Sequence, residues 1–204
     1  LVCRIAGLKI DVRRAGDASE NPAGPAQPRS AGAEIQDASG PLVVVSNHLS
    51  LFDMLVMYHS FPKLQFRWLA TASLFKITVW GWGMWGAGYI PVERDNRRSA
   101  RGSMEAAAEQ VRGGKSVIVF AEGTRGPGGA NMLPFKRGGF VLAKRAGVAI
   151  QPMTILDSDQ MIPKRKGQLL QPIHKGTVHV VLHPPIPAAE VEAVAHQVVE
   201  VVAS

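Results

Sequence analysis

The eleven residues VVVSNHLSLFD, Val43 to Asp53, pass from a buried-looking apolar run through a polar pair to a single carboxylate. With Leu42 in front, Val43 to Ser46 form a continuous run rich in β-branched residues, the pattern of a strand covered on both faces. The run stops at Asn47-His48. Leu51 to Ser60 then reads as a short helix that Pro62 ends. A buried strand passing directly into a helix is the repeating unit of an α/β sheet, and such sheets bind ligands at the C-terminal ends of their strands. His48 therefore stands where a ligand site is expected, and Asp53 follows one helical turn into the next element. If Leu49-Ser50 turns, the carboxylate can return to the imidazole, hold its Nδ1 proton and leave Nε2 as a base. The other reading of the same residues is structural. Asn47 or Ser50 caps the helix, Asp53 answers the helix dipole, and His48 is incidental. The spacing alone leaves both open.

Outward from this unit, strands and helices alternate. Leu8 to Arg13 reads as a half-buried strand, and residues 14–41, rich in Ala, Gly, Pro and Ser, as a flexible loop. Further strands are expected over 64–70, 89–92, 116–121, 149–156 and 178–183. Helices are expected over 72–85 (weakened by glycine), 97–112, 138–146 and 188–203. The predicted class is a single α/β domain, residues 1–204, with a mixed, mostly parallel sheet flanked by helices.

Composition narrows the chemistry. The chain has 204 residues, enough for one sizeable core, and 46% of them are hydrophobic, a globular composition. Its net charge of +7 favours anionic partners. The single cysteine, Cys3, excludes an internal disulfide and a cysteine-based zinc site. Basic residues are dispersed with few aromatics between them, so no nucleic acid is expected. No apolar stretch reaches the roughly 20 residues of a membrane span. The chain begins at Leu1 rather than Met, so an N-terminal membrane-anchoring segment is expected to lie outside it.

Two more constellations carry charge to strand ends. FAEGTRGPGG, Phe120 to Gly129, follows the clearest buried strand; Gly123, Thr124 and Arg125 offer backbone N–H groups and a guanidinium suited to a phosphate. Lys136-Arg137-Gly138 lies at an expected helix start, which also favours anions. A flexible hairpin with solvated charges is the other reading. In GYIPVER, Gly88 to Arg94, the arginine ends a short strand, where it reaches a phosphate or is a surface charge. Several patterns mislead. GWGMWG, Gly81 to Gly86, matches a dinucleotide fingerprint, but tryptophans crowd its turn and a strand follows it. No G-x-S-x-G elbow is present. His174, His179 and His183 have no carboxylate near them in sequence, so no metal is expected.

N-H-x-x-x-x-D, G-x-I-x-V-x-R and F-x-E-G-T-R, in that order, resemble the glycerolipid acyltransferases, in particular the bacterial 1-acylglycerol-3-phosphate (lysophosphatidate) acyltransferase family. IQPMTI from Ile150, LPFKRG from Leu133 and PPIP from Pro184 also sit where that family has related blocks. The likeness covers roughly residues 42 to 187. It implies acyl transfer without a covalent enzyme intermediate: His48 as general base, Asp53 orienting it, and Asn47, Arg94, Glu122, Gly123, Thr124, Arg125 and Lys136 binding the acceptor. It implies acyl-CoA or acyl-carrier protein as co-substrate, with no cofactor and no metal. It also implies a lysophospholipid acceptor. With the net charge of +7, an anionic membrane surface is expected as partner, and a peripheral or monotopic place on the cytoplasmic face of the inner membrane. Lyso-ornithine lipid or another lysolipid is an alternative acceptor. A non-catalytic lipid- or phosphate-binding module and a thioester hydrolase are the rival readings. Three departures stand out: Ala121 where the family has proline, Ala70 to Leu74 without the usual lysine and acid, and the long segment before Leu42. Trp80, Trp82 and Trp85 are expected at a membrane interface, along an acyl-chain tunnel, or in ordinary core packing.

Overall fold

The computed structural model describes residues 8–15, 40–93, 97–128, 132–161 and 173–193. Seven strands form one sheet: β1 (Leu8–Arg14), β2 (Val43–Ser46), β3 (Phe66–Thr71), β4 (Ile90–Val92), β5 (Ser116–Phe120), β6 (Ile150–Leu156) and β7 (Gly176–Leu182). Their order across the sheet is β1-β7-β6-β2-β5-β3-β4. All neighbours pair parallel except β6 and β7, which are antiparallel, so the sheet is mixed and mostly parallel.

The β-branched run of β2 is explained by what covers it. Val44, with Ile118, Met153 and Ile155, faces a core completed by Phe52, Val56 and Met57 of or beside helix α1 (Asp53–Ser60). Val43 and Val45, with Val117, Val119 and Ile150, face the other way. There they meet Ala107, Ala108 and Val111 of α3 (Arg97–Arg112), and Phe140, Leu142 and Ala143 of α4 (Gly138–Ala146). Neither face of the central strands meets water, so both alternating positions are apolar. Gly139 lets α4 sit close, since a Cβ there would lie 2.9 Å from Val45 Cγ2. The helix ends at Gly147 in the left-handed region (φ 69°), as its glycine predicts.

Placement of the site follows from connectivity. β2 and β5 are neighbours at the sheet's centre, with Ser46 opposite Phe120. The helix after β2 packs on one face, and the helix after β5 packs on the other. Where successive helices leave on opposite faces, the strand ends part and a crevice opens.

Three expectations are corrected. Residues 72–85 do not form one helix. A 3-10 turn (Ala72–Lys76) is followed by a break and then by α2 (Trp80–Gly86). Val79 sits at φ 63°, a backbone state that a β-branched residue adopts only under tertiary constraint. Of the closing helix expected over 188–203, the described part is a three-residue 3-10 turn (Ala188–Glu190) followed by a turn over 191–193, and residues 194–204 lie outside the described residues. Asp53 is the first residue of α1 rather than one turn inside it. The loop reading of 14–41 falls mostly on residues 16–39, also outside the described residues. A short α5 (Ser158–Met161) follows β6.

Candidate active site

His48 and Asp53 meet. The polypeptide turns at Leu49-Ser50, and His48 Nδ1 donates to Asp53 Oδ2 at 2.8 Å. The same oxygen accepts the backbone N–H groups of Leu49 (2.7 Å) and Ser50 (2.9 Å). Asp53 Oδ1 accepts the hydroxyl of Ser158 at 2.5 Å. The Asp53 side chain is fully buried, and an unpaired carboxylate in that position would be prohibitively costly. Four donors and the N-terminus of α1 compensate it. With Nδ1 committed to a carboxylate, the imidazole is oriented and Nε2 has no protein partner among the described residues. The ring keeps 16% of its side-chain surface exposed and stacks on Phe120, centroids 3.9 Å apart and planes 7° off parallel. Phe120 in turn stacks on Trp68.

The main chain of His48 is fixed as well. Its N–H donates to Glu122 Oε1 at 2.9 Å, and its carbonyl accepts from Gly126 N at 2.7 Å. Glu122 is 1% exposed, and its second oxygen accepts the N–H of Leu133 at 2.9 Å. Glu122 thus joins three loops instead of reaching outward. Asn47 does the same on the other side. It is 2% exposed; its Nδ2 donates to the carbonyl of Ile155 and its Oδ1 accepts the N–H of Ile155, both at 2.8 Å. Asn47 does not cap α1, whose N-cap residue is Phe52. Both polar side chains expected to touch substrate have their polar atoms committed to backbone.

The cationic group lies beside this frame. Gly123 (φ 71°) opens the turn after β5; Thr124 is exposed and Arg125 half-buried. Lys136 is exposed and lies over Gly123, its Nζ 2.9 Å from where a Cβ would stand. Glycine at 123 therefore serves both the left-handed backbone and the close approach of an ammonium group. Arg94, the third expected phosphate ligand, lies outside the described residues. Ala121 uses its N–H to donate to Ser46 O at 2.8 Å. A proline could not make that bond, so the alanine adds a rung between β2 and β5.

Other expectations fare differently. Trp80, Trp82 and Trp85 are 59%, 70% and 58% exposed, which excludes ordinary core packing for all three. Gly81 is a packing glycine rather than part of a nucleotide turn, because a Cβ there would lie 2.1 Å from the carbonyl oxygen of Phe75. A carboxylate does lie near one of the late histidines: Asp11 on β1 comes within 3.4 Å of His179 Nδ1. Among the described residues no three His, Cys, Asp or Glu side chains gather as a metal site. A cleft of about 670 Å³, lined by Arg14, Pro41, Ile150 and His183 among others, opens at the opposite ends of β2 and β6 and contains none of the dyad residues. Ser158 had no signal in the sequence, since it lies 105 positions from Asp53.

Comparison with known proteins shows what the chain is similar to. The acyltransferase family model matches residues 27–156. A 1-acyl-sn-glycerol-3-phosphate acyltransferase of Chlamydomonas reinhardtii is 33% identical over 147 residues, covering 72% of this chain and 42% of that protein. The Helicobacter pylori enzyme of the same name is 31% identical over 120 residues, covering 59% of this chain and 50% of that one. The chain thus spans half or less of the length of these curated relatives. The crystal structure of the 1-acyl-sn-glycerophosphate acyltransferase PlsC from Thermotoga maritima superposes with a TM-score of 0.62 at 25% identity, covering 94% of this chain and 70% of that one.

Proposed function

The chain belongs to the acyltransferase family, and from that premise we propose that it transfers a fatty acyl group from acyl-CoA or acyl-carrier protein to the free hydroxyl of 1-acylglycerol-3-phosphate, giving phosphatidate. The observation that carries the reading is the His48–Asp53 pair, a part-exposed imidazole whose Nδ1 is tied to a fully buried carboxylate. His48 Nε2 takes the proton of the glycerol hydroxyl as its oxygen attacks the thioester carbonyl. The tetrahedral intermediate collapses with cleavage of the C–S bond, and the departing sulfur receives the proton from His48. The products are phosphatidate and a free thiol; the enzyme is regenerated without a covalent step.

Thr124, Arg125, Lys136 and the backbone at Gly123 bind the acceptor phosphate, with Arg94 as a further ligand. Asn47 and Glu122 act from behind, Asn47 by tying the turn to Ile155 and Glu122 by accepting the His48 N–H. The partner is an anionic membrane surface on the cytoplasmic side, which the chain meets peripherally. Between Asp53 and Glu93 it carries Lys63, Arg67 and Lys76 and no acid. Among the described residues no helix is long and apolar enough to cross a membrane.

The test is an acceptor panel. Protein and acyl-CoA are incubated with lysophosphatidate, lyso-ornithine lipid or no acceptor, and lipid product and free thiol are quantified. Phosphatidate with matching thiol release is expected. Product only with lyso-ornithine lipid would move the acceptor, and thiol release without any acceptor would make the chain a hydrolase.

A further inference from the structure

We propose that Ser158, at the start of α5, is a positioning residue for the base, acting through Asp53. The inference rests on the reading of His48–Asp53 as the reacting dyad. A carboxylate has two equivalent oxygens, and rotation about its last torsion exchanges them. In Asp53 they are not equivalent. Oδ2 collects the imidazole and two backbone N–H groups. Oδ1 accepts the Ser158 hydroxyl at 2.5 Å, within the range of a charge-assisted O–H···O bond. Ser158 thereby distinguishes the two oxygens and keeps Oδ2 toward His48.

The serine is itself held in place. It is fully buried. It follows Asp157, which adopts the left-handed region at φ 66°, and that turn is closed by two bonds from Gln160: Nε2 to Asp157 Oδ1 (2.8 Å) and N to Asp157 O (3.2 Å). Three residues earlier, Ile155 is clamped by both polar atoms of the side-chain amide of Asn47, the residue next to His48. The base is therefore tied to the end of β6 twice, once through its neighbour Asn47 and once through Asp53 and Ser158. On the far side of Ser158, Asp159 lies against Gly128, with Oδ2 2.4 Å from where a Cβ would stand. The tripeptide Asp157-Ser158-Asp159 thus touches both the dyad and the glycine-rich loop after Glu122.

The test compares wild type with Ser158→Ala and Ser158→Thr, with two readouts. In acyl transfer, the alanine variant is expected to lose roughly tenfold in kcat, the loss of about one hydrogen bond to a charged group. KM for donor and acceptor should stay within about twofold, and the acid limb of the kcat profile should move to higher pH. Threonine, which keeps the hydroxyl, should restore most of the rate. In NMR of the folded protein, the imidazole N–H resonance of His48 should be sharp in wild type and exchange-broadened in Ser158→Ala. A wild-type rate, an unmoved pH profile and an unchanged resonance in Ser158→Ala would overturn the proposal. So would a rate lost only in proportion to folded protein with the resonance unchanged. The NMR arm needs no turnover: if the resonance responds but no lysolipid is acylated, the positioning stands and the acyl-transfer reading fails.

Discussion

At the scale of single residues, the site is a problem of burying polar groups without orphaning them. Asn47 and Glu122 each have both functional atoms paired with main chain. Their type and place were legible, because polar residues that end buried strands stand out. Their partners were not, since these are set by which strands become neighbours. Asn47→Ala would leave the N–H and carbonyl of Ile155 unpaired in the interior. We expect a loss of about 2–4 kcal/mol, seen as a fall in melting temperature of roughly 5–15 °C. An unchanged melting temperature would contradict the clamp. His183 makes a second residue-scale prediction. Its Nε2 lies 2.8 Å from Thr154 Oγ1, and burial pushes its imidazole below the ordinary value. The folded chain then binds fewer protons than the unfolded one near the ordinary histidine range, about pH 6.5. Its contribution to stability is complete above that range and is lost as pH falls through it. Melting scans at pH 8 and pH 5.5 should show a smaller acid loss for His183→Gln than for wild type.

At the scale of elements, legibility tracked how strongly local sequence constrains the backbone. β2 and β5 were readable because a strand covered on both faces is apolar at both alternating positions, here Val43 to Val45 and Val117 to Val119. α3 was readable from Met104, Ala107, Ala108 and Val111 along one side. The segment 72–85 does not form the single helix its sequence suggests, because its break depends on tertiary packing. Val79 is forced to φ 63°, and Gly81 admits the carbonyl of Phe75 where any side chain would collide. Gly81→Ala should therefore expel α2 from its seat on the 3-10 turn at a cost of about 1–3 kcal/mol. Hydrogen exchange should report it as faster exchange confined to residues 72–92. Exchange that remains at the wild-type rate would show that the glycine is not needed there. The β6–α5 turn was invisible for a different reason: Ser158 joins Asp53 only after β6 docks beside β2.

At the scale of the whole molecule, the dyad and the exposed tryptophans lie toward the same end of the parallel strands. His48 lies at the C-terminal end of β2, and the 3-10 turn leading to the tryptophans leaves the C-terminal end of β3 in the same parallel set. Indole rings favour the boundary between headgroups and chains. Trp82→Ser with Trp85→Ser is expected to lower flotation with anionic liposomes severalfold while leaving the circular dichroism spectrum intact. Equal flotation of both proteins would place membrane contact elsewhere. Whether His48 is the base of an acyl transfer to lysophosphatidate is decided by one rate. It is the formation of phosphatidate from acyl-CoA and lysophosphatidate by wild type and by His48→Ala at equal folded concentration. Steady product from wild type and a loss of roughly a hundredfold to ten-thousandfold in the variant are expected. A variant that forms phosphatidate at the wild-type rate would contradict that role for His48.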